Sequence, residues 1–241
     1  MIAGVVIWQI TTLAQQLTFP YPERLTYRVE WRLVTAGNIT VQQRRGNAQE
    51  WNINMNIESA GLVSRLYRVL DSYKAVTNDR FCMVNTFLDA QEGKKHTITR
   101  LTFDTGRRKI VYDEKDVLRN TNRREELDDP PCAYDIIGAL AALRSVPVAP
   151  GGITTLPITN GKRLVMGKIR AQQKENISAT GSNYSCVRYQ AYLFDDVLYK
   201  RKGTLLIWLS DDSRRLPVQF QLHLGFPIGT ITIGLVKDES L

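Results

Sequence analysis

Apolar and polar residues alternate along most of the chain, which is the pattern of β-strands with one buried and one wet face. The clearest run is 27–33, where Tyr27 and Trp31 fall on the apolar face and charged residues fall on the other. Residues 51–57 repeat the alternation with asparagines as the polar partners. The segment 205–209 is apolar throughout, which is typical of a strand covered on both sides. About a dozen such runs predict a mainly β protein.

One segment, about residues 133–144, predicts the principal α-helix. Ile136, Leu140 and Leu143 recur at the spacing of one helical face, and two prolines stand just before the run. The helix separates two β halves of a single β-rich domain, for which we predict the bounds 22–237. Such a helix either forms a lid over a sheet or packs one apolar side onto it, and packing is the commoner role.

Two segments have a less regular pattern. Leu62 to Leu70 fits a short helix and a strand equally well. The run from Asp116 to Asp129 is highly charged and has few large apolar residues, so we predict an exposed loop. The whole pattern predicts a curved antiparallel sheet, either an open half-barrel or two packed sheets, with one principal helix.

The beginning of the sequence has the character of an export signal. Residues 1–22 carry no charged side chain, and residues 2–14 are mostly apolar and end in a small residue. Residues 1–14 therefore resemble a secretory signal peptide, although the usual basic start is missing. We expect export to the periplasm or cell envelope. No later stretch approaches the roughly 18 apolar residues of a membrane span, so we expect no transmembrane segment.

The net charge of +8 suggests a nucleic-acid partner, but its distribution does not. Basic and acidic residues are interspersed, and the densest basic runs, 107–109 and 200–202, are short and lie at predicted turns. A phosphate-binding face needs its charges gathered on one side. We therefore expect no nucleic-acid partner.

The chain has three cysteines, and none of them forms a C-x-x-C pair that would favour a zinc or redox site. In an oxidising compartment, one disulfide and one free thiol is the simplest outcome. Cys82 and Cys132 both lie at element boundaries, whereas Cys186 lies inside a predicted strand. We hypothesise a disulfide between Cys82 and Cys132. Three buried thiols remain the alternative.

The sequence offers little for catalysis or metal binding. It has two histidines, His96 and His223, both in predicted polar positions, and no motif of a hydrolase, metalloprotease or nucleotide-binding loop. The carboxylate pairs 195–196 and 211–212 flank predicted turns, where aspartate is common. We therefore predict no catalytic residue, no metal site and no cofactor.

Large aromatic side chains on the inward faces of the strands are the remaining candidates for a binding site. A sheet that curves around such residues, with a helix across its mouth, can enclose an apolar ligand. The alternative is a filled core, because inward aromatic residues usually only pack. The candidate ligand-binding residues are Tyr27, Trp31, Trp51, Trp208 and Phe220.

Several motifs resemble a known family. The most specific is Trp-Leu-Ser-Asp-Asp at 208–212 followed by Arg-Leu-Pro-Val at 215–218, and residues 23–31 also fit. Over roughly 22–237 the chain resembles the exported bacterial proteins of the domain of unknown function 3108 family. The resemblance implies a β-rich periplasmic or envelope protein and brings no established catalytic residues. The C-terminal motif is also similar to periplasmic lipoprotein carriers, whose half-barrel holds acyl chains under a helix.

These observations favour one function and leave one alternative. We expect a non-enzymatic periplasmic or envelope protein whose curved sheet binds an apolar ligand, either a lipid or the acyl chain of a lipoprotein. Under this hypothesis, removal of the Trp31 or Trp208 side chain weakens ligand retention. The alternative is an envelope scaffold with a filled core that binds another envelope protein through an exposed strand edge.

Overall fold

The computed structural model describes residues 22–47 and 49–240, which form fourteen strands and two helices. The strands are β1 Glu23–Trp31, β2 Val34–Arg45, β3 Glu50–Ser59, β4 Val69–Asn78, β5 Met83–Glu92, β6 Lys95–Asp104, β7 Lys109–Asp116, β8 Thr121–Asp128, β9 Ile153–Thr159, β10 Leu164–Ala179, β11 Ser182–Tyr192, β12 Gly203–Ser210, β13 Pro217–Leu224 and β14 Gly229–Asp238. The helices are α1 Gly61–Leu66 and α2 Ile136–Ser145.

All fourteen strands belong to one antiparallel sheet. Its order runs from β8 back to β1, then from β14 back to β9, so that most strands pair with their neighbours in sequence. The long-range pair is β1 with β14, which joins the part before α2 to the part after it. The prediction of a mainly β protein with an antiparallel sheet and one principal helix is confirmed.

The sheet is strongly curved and stays open. Ile53 on β3 and Ile207 on β12 line the same cavity although four strands lie between them. At the β9–β10 turn, Gly161 has a φ of +85° and lies so close to the Tyr112 ring that a Cβ atom would be 2.2 Å from it. Strands β8 and β9 do not pair with each other within the described residues. The fold is therefore the open half-barrel, not two separate sheets.

Helix α2 packs against the inner face of this sheet. Its alanines and Leu143 are buried in one core cluster with side chains from both halves of the sheet. Asp135 precedes the helix and accepts a hydrogen bond from the Gly138 backbone N–H at 2.8 Å. An N-cap residue lies outside the helix, so α2 begins at Ile136 and not at the predicted residue 133.

The prediction of an exposed loop between Asp116 and Asp129 is wrong. Most of this segment is strand β8, the edge strand beside β7. Its charged side chains pair across the strands: Arg124 lies 2.9 Å from Asp113, and Lys109 lies 2.7 Å from Asp128. Charged residues protect an edge strand from pairing with another chain, which explains a strand with so few apolar residues.

Three other predictions, on the segment from Leu62 to Leu70, on the signal peptide and on membrane spans, compare with the structure as follows. The ambiguous segment from Leu62 to Leu70 contains both α1 and the beginning of β4. The predicted signal peptide, residues 1–14, lies outside the described residues. Within the described residues, 22–47 and 49–240, the structure has no helix with the length and apolar character needed to cross a membrane.

The hypothesis of a disulfide between Cys82 and Cys132 is confirmed, with a Cα–Cα distance of 5.0 Å. The bond ties the β4–β5 connection to the segment that precedes α2, across 50 residues of sequence. Cys186 is the buried free thiol. Burial raises the pKa of this thiol to about 12, which makes it a poor nucleophile.

Candidate ligand-binding cavity

A cavity of about 300 Å³ lies between α2 and the inner face of the sheet. Strands β1, β2, β3, β9 to β14 and the helix all contribute to its wall. The strand residues that line it are mostly every second residue, such as Ile39 and Val41 on β2 and Ile53, Met55 and Ile57 on β3. The period-two alternation in the sequence therefore directs one apolar series of side chains into the cavity.

The wall is almost entirely apolar. Apart from the Tyr27 hydroxyl, only three of its 26 lining residues, Glu23, Gln43 and Arg144, have polar side chains. Many of the apolar side chains, including Met55 and Leu140, are only partly buried. Apolar side chains that point inward and still have accessible surface indicate free volume, because a filled core would cover them.

The three polar residues gather at one end of the cavity. Arg144, in the last turn of α2, donates from Nη1 and Nη2 to the two carboxylate oxygens of Glu23 at 2.7 and 2.8 Å. Gln43 is paired with Glu23 across β1 and β2. The Gln43 Nε2 atom is buried and has no hydrogen-bond partner among the described residues. This end therefore combines a satisfied ion pair with an unused donor.

Tyr27 and Phe220, two of the five predicted residues, do line the cavity. Their rings meet edge to face with centroids 5.8 Å apart, a favourable aromatic arrangement. The Tyr27 hydroxyl donates to the Pro217 carbonyl at 2.9 Å, so the backbone satisfies its polar atom. Burial raises the pKa of Tyr27 far above its ordinary value, which keeps the hydroxyl neutral.

Trp31 lines a second, smaller cavity of about 250 Å³ between the sheet and α1. Its indole N–H donates to the Ile228 carbonyl at 2.6 Å. Ile57 contributes to both cavities, so the two spaces adjoin. Trp31 therefore belongs to the end of the half-barrel that carries α1, away from Glu23 and Arg144.

Trp51 and Trp208 line neither cavity, which corrects the prediction that they face a shared ligand space. Trp51 is buried against Phe81, with ring centroids 5.7 Å apart. Trp208 belongs to a second core cluster that also contains Cys186, and its indole N–H donates to Glu175 at 2.8 Å. Ile207 already points into the cavity, so its neighbour Trp208 must point to the opposite face of the sheet.

The sequence-based selection missed the aliphatic residues that form most of the wall. Aromatic size guided that selection, whereas the helix contributes Ile136, Ile137 and Leu140. The signal was present in the sequence, since these residues form the helical face that packs onto the sheet. Their partial exposure depends on how far the sheet curves, which the local pattern does not encode.

The described part of the chain contains no group of three or more His, Cys, Asp or Glu side chains placed to hold a metal ion. His96 Nε2 lies 2.9 Å from the Asp89 carboxylate on neighbouring strands, and both side chains are partly exposed. His223 Nδ1 lies 2.9 Å from the Thr230 hydroxyl. Both histidines have ordinary partners on adjacent strands.

Comparison with solved structures shows the same fold elsewhere. A β-barrel-like protein of the domain of unknown function DUF1849 from Brucella abortus matches with a TM-score of 0.63 and 8% identity, over 93% of this chain and 99% of that chain. At this identity the likeness shows the fold alone.

Two other solved structures are more distant. A candidate exported protein with a YmcC-like fold from Bacteroides fragilis has a TM-score of 0.35 and 8% identity, over 92% of this chain and 99% of that chain. A candidate lipoprotein from Parabacteroides distasonis has a TM-score of 0.34 and 10% identity, over 92% and 97%. We draw no conclusion from matches at these scores.

The sequence itself matches one family. The family described as protein of unknown function (DUF3108) covers residues 26–236, which confirms the resemblance found in the motifs. No curated protein matches the sequence. Because the match spans most of the chain, this protein belongs to the DUF3108 family.

Proposed function

We propose that this protein is a non-enzymatic envelope protein that holds an acyl chain, of a lipid or a lipoprotein, in the cavity between α2 and the sheet. One observation carries the proposal: a cavity of about 300 Å³ with 23 apolar residues among the 26 that line it. That volume is at the lower end of ligand pockets, which span roughly 300–1,000 Å³.

An acyl chain is the ligand that best matches this wall. Each buried methylene gains about 0.8 kcal/mol, so ten methylenes give roughly 8 kcal/mol before the costs of association. The wall offers few polar groups that would recognise a sugar or a nucleotide. The free donor of Gln43 fits a ligand with a hydrogen-bond acceptor at the buried end, such as a carbonyl group.

An oxidising compartment is part of the proposal. The Cys82–Cys132 disulfide is typical of proteins outside the cytoplasm, where disulfides persist. Export also agrees with the signal-like residues 1–14. We therefore propose the periplasm or cell envelope as the location.

The alternative, an envelope scaffold that binds a protein through a strand edge, has less support. Its filled core does not agree with the partly exposed side chains around the cavity. The edge strand β8 is densely charged, and the other edge strand, β9, contains Pro157. Both features discourage the addition of a strand from a partner.

Native mass spectrometry of protein purified from the periplasm without detergent tests the proposal. We expect a mass excess that solvent extraction removes and identifies as an acyl lipid. The variant with Val41→Phe and Ile233→Phe places larger side chains into the cavity and should lose most of this excess. Val236→Phe on the exposed side of β14 is the matched control and should keep it.

Two results would count against the proposal. The first is wild-type protein with no extractable lipid that also fails to take up a fatty acid in solution. The second is equal lipid retention in the cavity variant, provided that this variant unfolds at the same urea concentration as the wild type. Either result would favour the scaffold alternative.

A further inference from the structure

The antiparallel order of the sheet divides the connections between strands into two groups. The seven connections that follow β1, β3, β5, β7, β9, β11 and β13 lie at one end of the half-barrel, which we call the α1 edge because the connection after β3 contains α1. The N-terminal end of β1, with Glu23, lies at the opposite edge, as does the end of α2. The two edges defined in this way are the two ends of the half-barrel, where the strands begin and end.

The basic charge, although interspersed with acidic residues along the sequence, is gathered by the fold at one of these ends. The connections of the α1 edge contain ten lysine or arginine residues and two aspartates. The connections of the opposite edge contain six arginines and five aspartates. An excess of eight positive charges therefore lies at the α1 edge, against an excess of one at the other.

Three neighbouring connections at the α1 edge form a surface that we call the rim, consisting of residues 32–33, 60–68 and 225–228. Arg32 donates to the Pro227 carbonyl, which joins two of these connections, and the Ala60 N–H holds the third against β2 by donating to the Ala36 carbonyl at 2.8 Å. The rim contains three arginines and no acidic residue.

The rim also exposes large apolar side chains. Leu33 and Phe226 are each 97% exposed, and Leu62, Leu66 and Tyr67 are between 48% and 73% exposed. Leu33 has a φ of +66°, an uncommon conformation for a leucine, so neither packing nor backbone preference explains its position. A cluster of this kind on a folded protein marks an interaction surface.

We propose that the rim docks on the surface of an anionic phospholipid bilayer. The exposed apolar tips would enter the boundary between headgroups and acyl chains, while Arg32, Arg65 and Arg68 contact lipid phosphates. Protruding tips on separate turns suit a fluid surface, which adapts to them without a complementary partner shape. An acidic protein would match the positive charge of the three arginines. It would also have to supply a separate pocket for the exposed apolar side chains of each of the three connections.

The rim lies over the smaller cavity, which Val63 of α1 and Ile228 help to line. Docking would therefore place the bilayer at the end where the smaller cavity adjoins the main one through Ile57. The inference about docking does not depend on lipid binding in the main cavity, because the rim residues and the cavity residues are different.

Co-sedimentation with vesicles tests docking directly. The probes are vesicles of phosphatidylcholine with phosphatidylglycerol and vesicles of phosphatidylcholine alone. We expect binding to the anionic vesicles that weakens as salt is added. Arg65→Gln with Arg68→Gln should lower binding roughly fivefold for each arginine, and Leu33→Ser with Phe226→Ser should lower it about tenfold or more.

Matched controls lie at the opposite edge. Arg107→Gln with Arg108→Gln removes the same charge, and Val146→Ser with Ile153→Ser removes two exposed apolar side chains. Both controls should bind as the wild type does. All variants share the residues before 22, so any contribution of that segment cancels in the comparison. Urea unfolding should show equal stability, since the changed side chains are exposed.

Three outcomes would overturn the proposal: no binding to anionic vesicles, equal binding to neutral vesicles, or binding that the rim variants leave unchanged. A cross-link to an envelope protein that depends on the rim, together with absent vesicle binding, would replace the bilayer by a protein partner. If the protein docks on vesicles but carries no lipid in its cavity, the docking proposal stands and the proposed function is wrong.

Discussion

The ion pair between Glu23 and Arg144 fixes α2 to the first residue of β1, and its removal gives a prediction with a defined magnitude. Both side chains are only 4% exposed. Arg144 also donates to the carbonyls of Arg215 and Arg214, at 3.1 and 3.2 Å. The guanidinium therefore satisfies one buried carboxylate and two backbone oxygens at once.

Arg144→Met keeps an unbranched apolar side chain and removes every one of these donors. Loss of one partner from a buried pair costs about 3–5 kcal/mol, and the more distant Arg214, 3.8 Å from Glu23, compensates only part of the carboxylate charge. For a chain of this length, 1 kcal/mol changes the melting temperature by about 2–4 °C. We expect the variant to melt roughly 6–20 °C below the wild type and to unfold at a lower urea concentration.

Two comparisons separate this effect from a general loss of charge. Arg124→Met removes an arginine that pairs with Asp113 at 2.9 Å on the exposed strands β7 and β8, and should cost at most about 1 kcal/mol. Glu23→Leu combined with Arg144→Met removes both charges and should recover more than half of the loss. A cost below about 1 kcal/mol for Arg144→Met alone, or a double variant no more stable than the single one, would refute the reasoning.

Three further changes have expected outcomes in urea unfolding. Replacing Cys82 and Cys132 by alanine should lower stability by roughly 4 kcal/mol, because the bond closes a loop of about 50 residues; an unchanged midpoint would contradict this. Burial, with Glu92 nearby, raises the pKa of Asp71 from 3.8 to about 6, so the folded state holds this proton more tightly than the unfolded state. Stability should therefore fall as the pH rises from about 4 through 6, and Asp71→Asn should reduce this fall; equal pH profiles would exclude the effect. Asp135→Ala removes the α2 cap and the acceptor of the Tyr73 hydroxyl, and should cost roughly 2–4 kcal/mol. Loss of an N-cap alone costs at least about 0.5 kcal/mol, so a smaller loss of stability would show that Asp135 does not cap α2.

Local patterns predicted much of the fold. Alternation in residues 27–31 identified β1 and its inward face, and the spacing of Ile136 and Leu140 identified α2. Both signals arise within a few residues. The pairing of β1 with β14 joins residues about 200 positions apart, and local periodicity carries no record of such a contact.

The site was harder to predict than the fold for the same reason. The run 205–209 is apolar throughout, so nothing in it shows that Ile207 faces the cavity and Trp208 the other side. Strand β8 was missed because its stability comes from cross-strand charge pairs and not from apolar residues. The free volume itself depends on sheet curvature and on how α2 lies across the sheet.

Methyl NMR of the isoleucines during titration with a fatty acid tests most directly whether the cavity holds an acyl chain. Ile53, Ile136 and Ile233 line the cavity, whereas the fully buried Ile110 and the partly buried Ile177 do not. We predict that delipidated protein shows saturable shifts at the first three methyl groups and none at the last two. Unchanged signals from the cavity methyl groups, with the chain folded and the fatty acid in excess, would contradict the account.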